Sequence, residues 1–506
     1  MKGFVSLVGA GPGNPGLLTL NACQKLKEAD IVIYDYLVNP EHLRHTQKNC
    51  ERICVGKGFR HKKLSQEKIN RLIIQEAKKN KKVVRLKGGD PYLFGRGGEE
   101  ALFLKKHGIP FDVVPGITSF SACAAYAGIP VTHRDHNASV TLLTGHRAND
   151  DKLDSIDWSK IASMPGTIAI YMGFYNLPVI CHRLLSHGMA PRTPVAVIEW
   201  GTLPFQKVSE GKLSEIAAIV RQNKMKPPCM ILIGDVVKLR RELNWYEKLP
   251  LFGKKILVTR AKGKASILSD KLKKLGAETF EMPVIEILPP KTWKPMDDCI
   301  ASLSRYDWLI FTSAYGANFF LNRLYEKHDK DTRALGGVRI ACVGPETAKI
   351  LRPYGLRPDL IPDQYETKNL AQSLSKKIGS LLGKKILLVR ADIAPKALEE
   401  DLKKMGAIPF AVTGYRTVRP KIQTGILREM TPDYVTFTSS STANNFIQGV
   451  GAPKAKKILS KTFVASIGPV TSKSLRQNKV RVDCEARQFH LDGLVEAIKN
   501  HAGKHL

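Results

Sequence analysis

The second half of the chain contains an internal repeat of four matched segments, and this repeat limits the possible folds more than any other feature. GKKILVTRA, which begins at Gly253, returns as GKKILLVRA at Gly383, and LKKLGA at Leu272 returns as LKKMGA at Leu402, both 130 residues later. FTSAYGANFF and FTSSSTANNF match at an offset of 126 residues, and VGPETAKIL and IGPVTSKSL at an offset of 124. The copies place strands before Ser/Thr/Gly-rich turns at helix starts, so the repeat predicts two similar α/β lobes.

The first half alternates short apolar strands with helices of about 10–15 residues, a pattern typical of parallel α/β sheets. Strands are predicted at residues 5–8, 31–34 and 83–86, with a helix over 17–29. A second series of strands and helices begins after the Pro115-Gly116 pair. The first half is therefore predicted to be an α/β domain with two lobes.

The domain boundaries follow from these two patterns. The first domain is predicted to span residues 1–248, with lobes at about 1–114 and 115–248. Residues 244–255 interrupt the alternation and are interpreted as a linker, and the second domain is predicted to span residues 253–506.

Composition excludes some classes of protein and leaves others open. No apolar run approaches the roughly 20 residues that cross a membrane, and the nine cysteines form no C-x-x-C pair. We therefore expect a cytoplasmic protein with reduced thiols and no metal site. Lysine and arginine exceed aspartate and glutamate by 33, which is compatible with a lysine-rich composition, with nucleic acid binding or with a polyanionic substrate.

The loop after the first strand, GAGPGNPGLLT, has the glycine spacing of a dinucleotide site. Asp35 ends the second predicted strand and imitates the acid that binds ribose in such sites. However, Pro12 and Pro15 remove two N–H groups from the loop that should hold a pyrophosphate. The prolines disfavour a nicotinamide-dependent oxidoreductase without excluding it.

Further Gly-rich or polar segments follow other predicted strands, where open α/β sheets bind ligands. They are RLKGGDPYLFGRGGEE, VPGITSFSACAAYAGIPVTHRD, TGH, YMG and EWG, in that order. With the opening loop, these segments resemble the uroporphyrinogen-III C-methyltransferase family over about residues 3–246.

This resemblance implies a tetrapyrrole-methylase fold with two α/β lobes that uses S-adenosylmethionine. It implies that the methyl donor is bound by Pro12, Gly88, Gly89, Asp90, Leu93, Thr118, Ser119, Met172 and Gly201. Because S-adenosylmethionine carries a sulfonium and no phosphate, prolines in the loop cost such a site nothing. Asp90 could accept hydrogen bonds from this ligand.

The resemblance also implies a proton acceptor at Asp35 and a proton donor at Lys57. Lys57 could equally hold a substrate carboxylate. Arg85 and Arg134 are further candidates for binding substrate carboxylates, with solvated surface charge as the alternative for each.

Residues 253–506 resemble uroporphyrinogen-III synthase through ILVTRA, ACVGPETAKIL, VTGYRTV and the repeated FTS segments. That family's fold implies two α/β lobes joined by two connecting strands, with the active site between them. The lobes would be residues 253–283 plus 419–506, and 289–411.

The implied synthase reaction closes hydroxymethylbilane with inversion of the last ring, and it needs no cofactor. Tyr415 matches the family tyrosine proposed to assist loss of the hydroxyl group. Turns at helix starts suit substrate carboxylates, although each hydroxyl alone is more commonly a helix cap. The candidates are Thr312, Ser313, Thr347, Ser439, Ser440 and Thr471.

Together the two resemblances predict a bifunctional enzyme that makes uroporphyrinogen III and methylates it twice to precorrin-2, for siroheme or cobalamin. Hydroxymethylbilane and uroporphyrinogen III are the expected partners, with no nucleic acid and no membrane. Related methyltransferases imply a homodimer through the first half. The alternatives are a basic RNA-binding α/β protein and the nicotinamide-dependent oxidoreductase.

Overall fold

The computed structural model describes residues 3–56, 64–145, 153–260, 265–363, 367–420, 422, 425, 427 and 430–504. The chain divides into two compact units. The first comprises Met1–Lys255, Leu272–Glu278 and Ala502–Leu506, and the second comprises Ile256–Lys271 and Thr279–His501.

The first lobe of the first unit is a five-stranded parallel sheet with the order β3-β2-β4-β1-β5. Its strands are β1 Phe4–Gly9, β2 Ile31–Tyr34, β3 Glu51–Cys54, β4 Lys82–Lys87 and β5 Phe111–Val114. Helices Leu20–Glu28, Gln66–Ala77 and Gly97–Lys106 and the 3-10 helices Pro15–Leu17 and Pro40–His45 connect them.

Both faces of this sheet are buried, which is why its strands are continuous apolar runs. Leu7 and Ile33 belong to the core on one face, and Val8 and Leu86 belong to the core on the other. β4, β1 and β5 are neighbours that run parallel, so their carboxyl ends lie side by side at one edge of the sheet.

The second lobe has the strand order β6-β7-β10-β8-β9. Its strands are β6 Val140–Thr144, β7 Thr167–Tyr171, β8 Pro194–Glu199, β9 Lys207–Lys212 and β10 Cys229–Ile233. Its helices are Ser119–Tyr126, Trp158–Ser163, Leu177–Ser186, Ile216–Gln222, Arg240–Leu243 and the 3-10 helix Asp235–Leu239.

The prediction of parallel sheets is wrong for most of this second sheet. Only β6 and β7 run parallel, whereas β10 is antiparallel to both β7 and β8, and β8 is antiparallel to β9. The segment between β8 and β9 is too short for the crossover that parallel neighbours need, a dozen or more residues.

The second unit contains two further five-stranded sheets, β12-β11-β18-β19-β20 and β13-β17-β16-β14-β15. The strands are β11 Lys255–Val258, β12 Glu278–Glu281, β13 Glu286–Leu288, β14 Trp308–Phe311, β15 Arg339–Cys342, β16 Lys385–Ala391, β17 Ile408–Val418, β18 Tyr434–Phe437, β19 Phe463–Ser466 and β20 Cys484–Glu485.

Helices cover these sheets on both faces. They are Ala265–Lys273, Lys294–Ala301, Ala314–Glu326, Pro345–Ala348, Thr367–Ile378, Ala397–Lys404, Ser440–Val450, Ala452–Leu459, Pro469–Gln477 and Leu491–Gly503, with 3-10 helices Leu303–Arg305, Thr332–Leu335 and Arg352–Tyr354.

The two lobes of the second unit interleave in sequence. β11 pairs in parallel with β18, so the first strand of this half joins the last part of the chain. β13 and β17 pair antiparallel, with Glu286 opposite Val418, at the place where the chain passes between lobes.

Residues 244–255, interpreted from the sequence as a linker, pack against the first unit. Tyr246 is 4% exposed and its ring lies 4.6 Å from that of Tyr126. Glu247 accepts hydrogen bonds from Arg240 at 2.6 Å and from Gln206 at 2.9 Å. The aromatic contacts and the shared carboxylate give this segment a fixed place in the first unit, and its interpretation as the linker to the second domain stays a prediction.

Among the described residues, the structure contains no helix with the length and apolar character that crossing a membrane requires.

Candidate functional site

Three loops after β4, β1 and β5 form a cradle of closely packed backbone. Gly11 and Gly89 exchange hydrogen bonds, at 3.2 Å from the Gly11 N–H and 2.7 Å from the Gly89 N–H. A Cβ atom on Gly9 would lie 2.5 Å from Cα of Gly116, and one on Gly116 would lie 2.2 Å from the carbonyl oxygen of Gly89. Glycine is therefore required at Gly9 and Gly116 because three backbones meet there.

Asp90 fixes the geometry of this cradle. Its carboxylate accepts hydrogen bonds from the backbone N–H groups of Tyr92 at 2.8 Å, Leu93 at 3.1 Å and Gly116 at 3.0 Å. A carboxylate has about four acceptor positions. These three hydrogen bonds tie two loops together, and they occupy most of the acceptor positions that Asp90 was expected to offer a ligand.

A cavity of about 770 Å³ opens beside the cradle, between the two lobes of the first unit. Its volume is within the range of small-molecule sites. Its wall includes every residue that the resemblance assigned to the methyl donor: Pro12, Gly88, Gly89, Asp90, Leu93, Thr118, Ser119, Met172 and Gly201. The structure brings these residues together, and their role in binding stays a prediction.

Aromatic side chains that the sequence analysis did not single out complete this wall. The Phe94 ring lies 4.9 Å from that of Tyr171, and the Tyr171 hydroxyl hydrogen-bonds the hydroxyl of Thr118. Burial raises the pKa of Tyr171, so its phenol stays protonated. The sequence did indicate aromatic residues at this wall, because the strand-end segments YMG and EWG contain Tyr171 and Trp200.

Backbone strain is concentrated on the same wall. Phe94, Met172 and Trp200 have positive φ angles of 51°, 52° and 48°. Non-glycine residues in this region cost free energy, and they cluster at functional sites where the surroundings hold them in place.

The charge of the wall bears on the kind of ligand. Asp90 is the one charged residue among the described residues that line the cavity. The first helix begins at Leu20, which is 91% exposed and is not part of this lining. Helix Ser119–Tyr126 does begin in the wall, since Thr118 and Ser119 line the cavity, so a helix N-terminus does not distinguish the two kinds of ligand. The absence of a cationic side chain among the described lining residues favours a cationic ligand without phosphate over a dinucleotide.

Asp35 lies at the end of β2 with its side chain 32% exposed, and it forms an ion pair with Arg85 at 2.6 Å. Arg85 is only 2% exposed and also contacts Glu100. The structure therefore does not support the expectation that Arg85 binds substrate carboxylates, because its guanidinium is enclosed and engaged by two acids. Arg134 is exposed, and Lys57 lies outside the described residues.

In the second unit, predicted substrate-binding hydroxyls divide into two groups. Ser313 and Ser439 cap helices Ala314–Glu326 and Ser440–Val450, and Ser440 donates to the Val470 carbonyl at 3.1 Å. Thr312 is half-buried and donates to the carbonyl of Val389 at 3.4 Å.

Thr347 and Thr471 form the other group. They occupy matching positions of the repeat, and each is only 4% exposed. Both residues are thus buried, and their role in substrate binding stays a prediction.

Tyr415 lies on β17 and is 7% exposed. Burial raises the pKa of its phenol, and the nearby Ser313 opposes this effect in part. The ring of Phe319 stacks on that of Tyr415 at 6.3 Å, and the ring of Tyr315 lies 5.7 Å away. Arg260 is half-buried, and desolvation lowers its pKa. It bears electrostatically on Tyr315, so a cation is close to this aromatic group.

The described residues contain no group of three His, Cys, Asp or Glu side chains arranged to hold a metal ion.

Comparison with known proteins assigns each unit to a family. The model described as "Tetrapyrrole (Corrin/Porphyrin) Methylases" matches residues 5–217, and that described as "Uroporphyrinogen-III synthase HemD" matches residues 266–496. These matches confirm both resemblances that the sequence motifs carry.

Individual relatives extend this result. A "Porphyrin biosynthesis protein HemD" from Ruminiclostridium josui is 36% identical over 511 residues, covering 99% of this chain and 98% of the relative. The siroheme synthase of Azotobacter vinelandii is 50% identical over 245 residues, covering 48% of this chain and 52% of the relative. The chain thus spans about half the length of the siroheme synthases it matches.

Among solved structures, a uroporphyrin-III C-methyl transferase from Thermus thermophilus, complexed with S-adenyl homocysteine, is 39% identical and covers 47% of this chain and 100% of its own, with a TM-score of 0.41. Because the relative from Ruminiclostridium josui matches both halves along nearly its whole length, the chain belongs to the family of porphyrin biosynthesis proteins in which a tetrapyrrole methylase is fused to a uroporphyrinogen-III synthase.

Proposed function

We propose that the chain catalyses two consecutive steps of tetrapyrrole biosynthesis. The second unit closes hydroxymethylbilane to uroporphyrinogen III with loss of water and inversion of one ring. The first unit methylates that product twice, using S-adenosylmethionine, to give precorrin-2. The observation that carries the proposal is the cavity wall of Gly88, Gly89 and Asp90 with no cationic side chain among its described residues.

The cavity residues fit a phosphate-free, positively charged methyl donor. The glycine loops allow close approach of backbone N–H and C=O groups, while the faces of Phe94 and Trp200 suit a cation or an adenine ring. Bound S-adenosylmethionine supplies an electrophilic methyl group. The wall has to hold it in line with a pyrrole carbon, so positioning supplies much of the rate.

Asp35 is proposed to accept the proton that the methylated ring must lose to restore conjugation. It lies at the end of β2, two residues before Leu37, which lines the cavity. The Asp35 side chain is 32% exposed, so a substrate can reach its carboxylate.

Tyr415 is proposed to assist departure of the hydroxyl group from hydroxymethylbilane in the second unit. Its phenol is protonated at neutral pH because burial raises its pKa, so it can donate a proton to the leaving oxygen. Ser313 and Ser439, at helix N-termini, are proposed to hold substrate carboxylates.

The two reactions follow each other, since the product of the second unit is the substrate of the first. Both substrates carry eight carboxylates, and the net charge of +33 favours attraction of such polyanions. We also propose that the enzyme works in the cytoplasm as a homodimer through its first unit, which light scattering of the purified chain would test.

A coupled assay tests the whole proposal. The full chain is incubated with hydroxymethylbilane and S-adenosylmethionine, and we expect precorrin-2 absorbance to appear. Calorimetry should detect binding of S-adenosylhomocysteine and none of NAD. Binding of NAD alone, or a salt-sensitive shift with generic RNA in the absence of both activities, would contradict it.

A further inference from the structure

A chain of four charged side chains begins at Asp35, and the three beyond it are buried. Arg85 Nη2 is 2.6 Å from Asp35 Oδ1, and Arg85 Nε is 3.1 Å from Glu100 Oε1. Lys87 Nζ is 3.0 Å from the same Glu100 oxygen, which also accepts from Gln66 at 2.9 Å. The order Asp35–Arg85–Glu100–Lys87 alternates in sign, so these four charges balance.

Only the Asp35 end of this chain reaches the surface. The side chains of Arg85, Lys87 and Glu100 are 2%, 4% and 1% exposed, against 32% for Asp35. Burying ion pairs costs desolvation free energy, and apolar side chains of similar volume often stabilise a protein as well or better. Stability alone is therefore a poor reason for such a chain.

Its location connects it to the candidate site. Arg85 and Lys87 lie at the carboxyl end of β4, which continues directly into Gly88 and Gly89 of the cavity wall. Glu100 lies in helix Gly97–Lys106, so it anchors the β4 side chains from a second element.

The guanidinium of Arg85 has little freedom to turn. Besides its two acids, its Nη1 lies 3.4 Å from the carbonyl oxygens of Ile33 and Leu86. A guanidinium held by this many partners can orient the Asp35 carboxylate, but it is unsuited to move towards a substrate.

We propose that Arg85 and Glu100 are positioning residues that hold the Asp35 carboxylate in one orientation for methyl transfer. The inference rests on the proposed function, because it assigns these residues to the proton-accepting step. It replaces the expectation that Arg85 binds substrate carboxylates.

The electrostatic consequence can be worked out from the charges nearby. Among the described residues, those bearing on this cluster are Arg85 and Lys87 on β4 and Glu100 on the neighbouring helix, with the Arg96–Glu99 pair acting on it from that helix's first turn. Removing the Arg85 cation takes away the guanidinium that lies 2.6 Å from Asp35 Oδ1. The Asp35 carboxylate then loses the ion pair that fixes its orientation.

The experiment compares Arg85→Gln, Arg85→Lys and the wild type, each as the full chain, supplied with uroporphyrinogen III and S-adenosylmethionine. We expect Arg85→Gln to lower kcat on the order of a hundredfold, as a misplaced catalytic group does, with little change in KM. Arg85→Lys keeps a cation beside Asp35, so it should restore part of the loss in kcat.

Glu67→Gln is the matched control. Glu67 lies on helix Gln66–Ala77, where it forms an exposed ion pair with Arg71, so its neutralisation changes the charge of the lobe by the same magnitude without touching the cluster. We expect wild-type kcat and KM in this variant. Calorimetry with S-adenosylhomocysteine checks that every variant keeps an intact cavity.

A rise in KM with an unchanged kcat in Arg85→Gln would overturn the inference and return Arg85 to substrate binding. Absence of turnover in the wild type would instead contradict the proposed function. In that case the ¹³C carboxyl signal of Asp35, in protein labelled in aspartate side chains and assigned by loss of that signal in Asp35→Asn, reports the ion pair with Arg85 directly. An Asp35 chemical shift that is equal in wild type and Arg85→Gln would likewise overturn the inference.

Discussion

A Cβ atom built on Gly201 would lie 2.4 Å from the Sγ atom of Cys123 and 2.7 Å from its Cβ atom. Both residues line the cavity. Because Cys123 is only 5% exposed, its side chain is packed in place and cannot move aside for a larger residue at position 201. The absence of a side chain at Gly201 is thus part of the shape of the cavity.

Gly201→Ala is therefore expected to weaken binding of S-adenosylhomocysteine about tenfold or more, because overpacking costs on the order of 1–3 kcal/mol. Calorimetry on the purified chain measures this. Gly98→Ala is the control, since a Cβ atom there meets nothing within 4 Å. Unchanged affinity in Gly201→Ala would separate this wall from ligand binding.

Asp35→Asn should abolish most methyl transfer while leaving S-adenosylhomocysteine affinity intact. The substitution removes the proton acceptor, which is worth on the order of 10²–10⁴ in rate, and Asp35 is not part of the cavity lining. Transfer of a labelled methyl group to uroporphyrinogen III measures the loss. Full turnover in this variant would rule out Asp35 as the base.

Tyr415→Phe should keep the stacking on Phe319 and lose only the hydroxyl group, so the second unit should still fold. We expect slower consumption of hydroxymethylbilane and a larger share of the symmetrical isomer, measured by chromatography of the oxidised products. Tyr306→Phe is the control, because the Tyr306 hydroxyl contacts the buried Cys299 in the core. An unchanged rate and isomer ratio in Tyr415→Phe would dismiss the phenol as an acid.

His42 should make the stability of the first unit depend on pH. Its side chain is fully buried, neither ring nitrogen has a hydrogen-bond partner among the described residues, and burial lowers its pKa to about 4. Between its unfolded pKa near 6.5 and about 4, the unfolded chain binds a proton that the folded chain excludes. Stability is therefore complete above pH 6.5 and falls as the pH drops through this window, by about 3 kcal/mol in total.

Urea unfolding of the first unit at pH values between 7.5 and 4.5 measures the slope of its free energy of unfolding against pH. His42→Phe should flatten it, whereas His182→Phe, at an exposed position, should leave it unchanged. An equal slope in His42→Phe and the wild type would assign the pH dependence to other groups.

Local patterns were sufficient for much of the fold. The second strand, residues 31–34, matches its predicted bounds, and β1 extends the predicted 5–8 by one residue at each end. The first helix begins at Leu20 rather than at residue 17, because Pro15 starts a separate 3-10 turn and Thr19 caps the helix. Such boundaries depend on capping bonds that apolar periodicity does not encode.

The candidate site was predictable in part for the same reason. Gly88 and Thr118 follow β4 and β5, whose carboxyl ends meet at one edge of the first sheet, so their proximity follows from local sequence. Gly201 follows β8 of the second sheet, and only the packing of the two lobes brings it to the same cavity. Glu100 was not predicted, since it lies on a helix among other charged residues and nothing in its own segment indicates burial.

By itself, the sequence determined the α/β class, the fusion of two families and the motifs at the strand ends, because these depend on short-range periodicity and on residues that neighbour each other along the chain. Only the tertiary structure decided that β11 joins β18, that β10 runs antiparallel to its neighbours, and that Asp35, Arg85 and Glu100 touch. The physical reason is that strand order and buried charge pairing are set by which distant segments bury their apolar faces together.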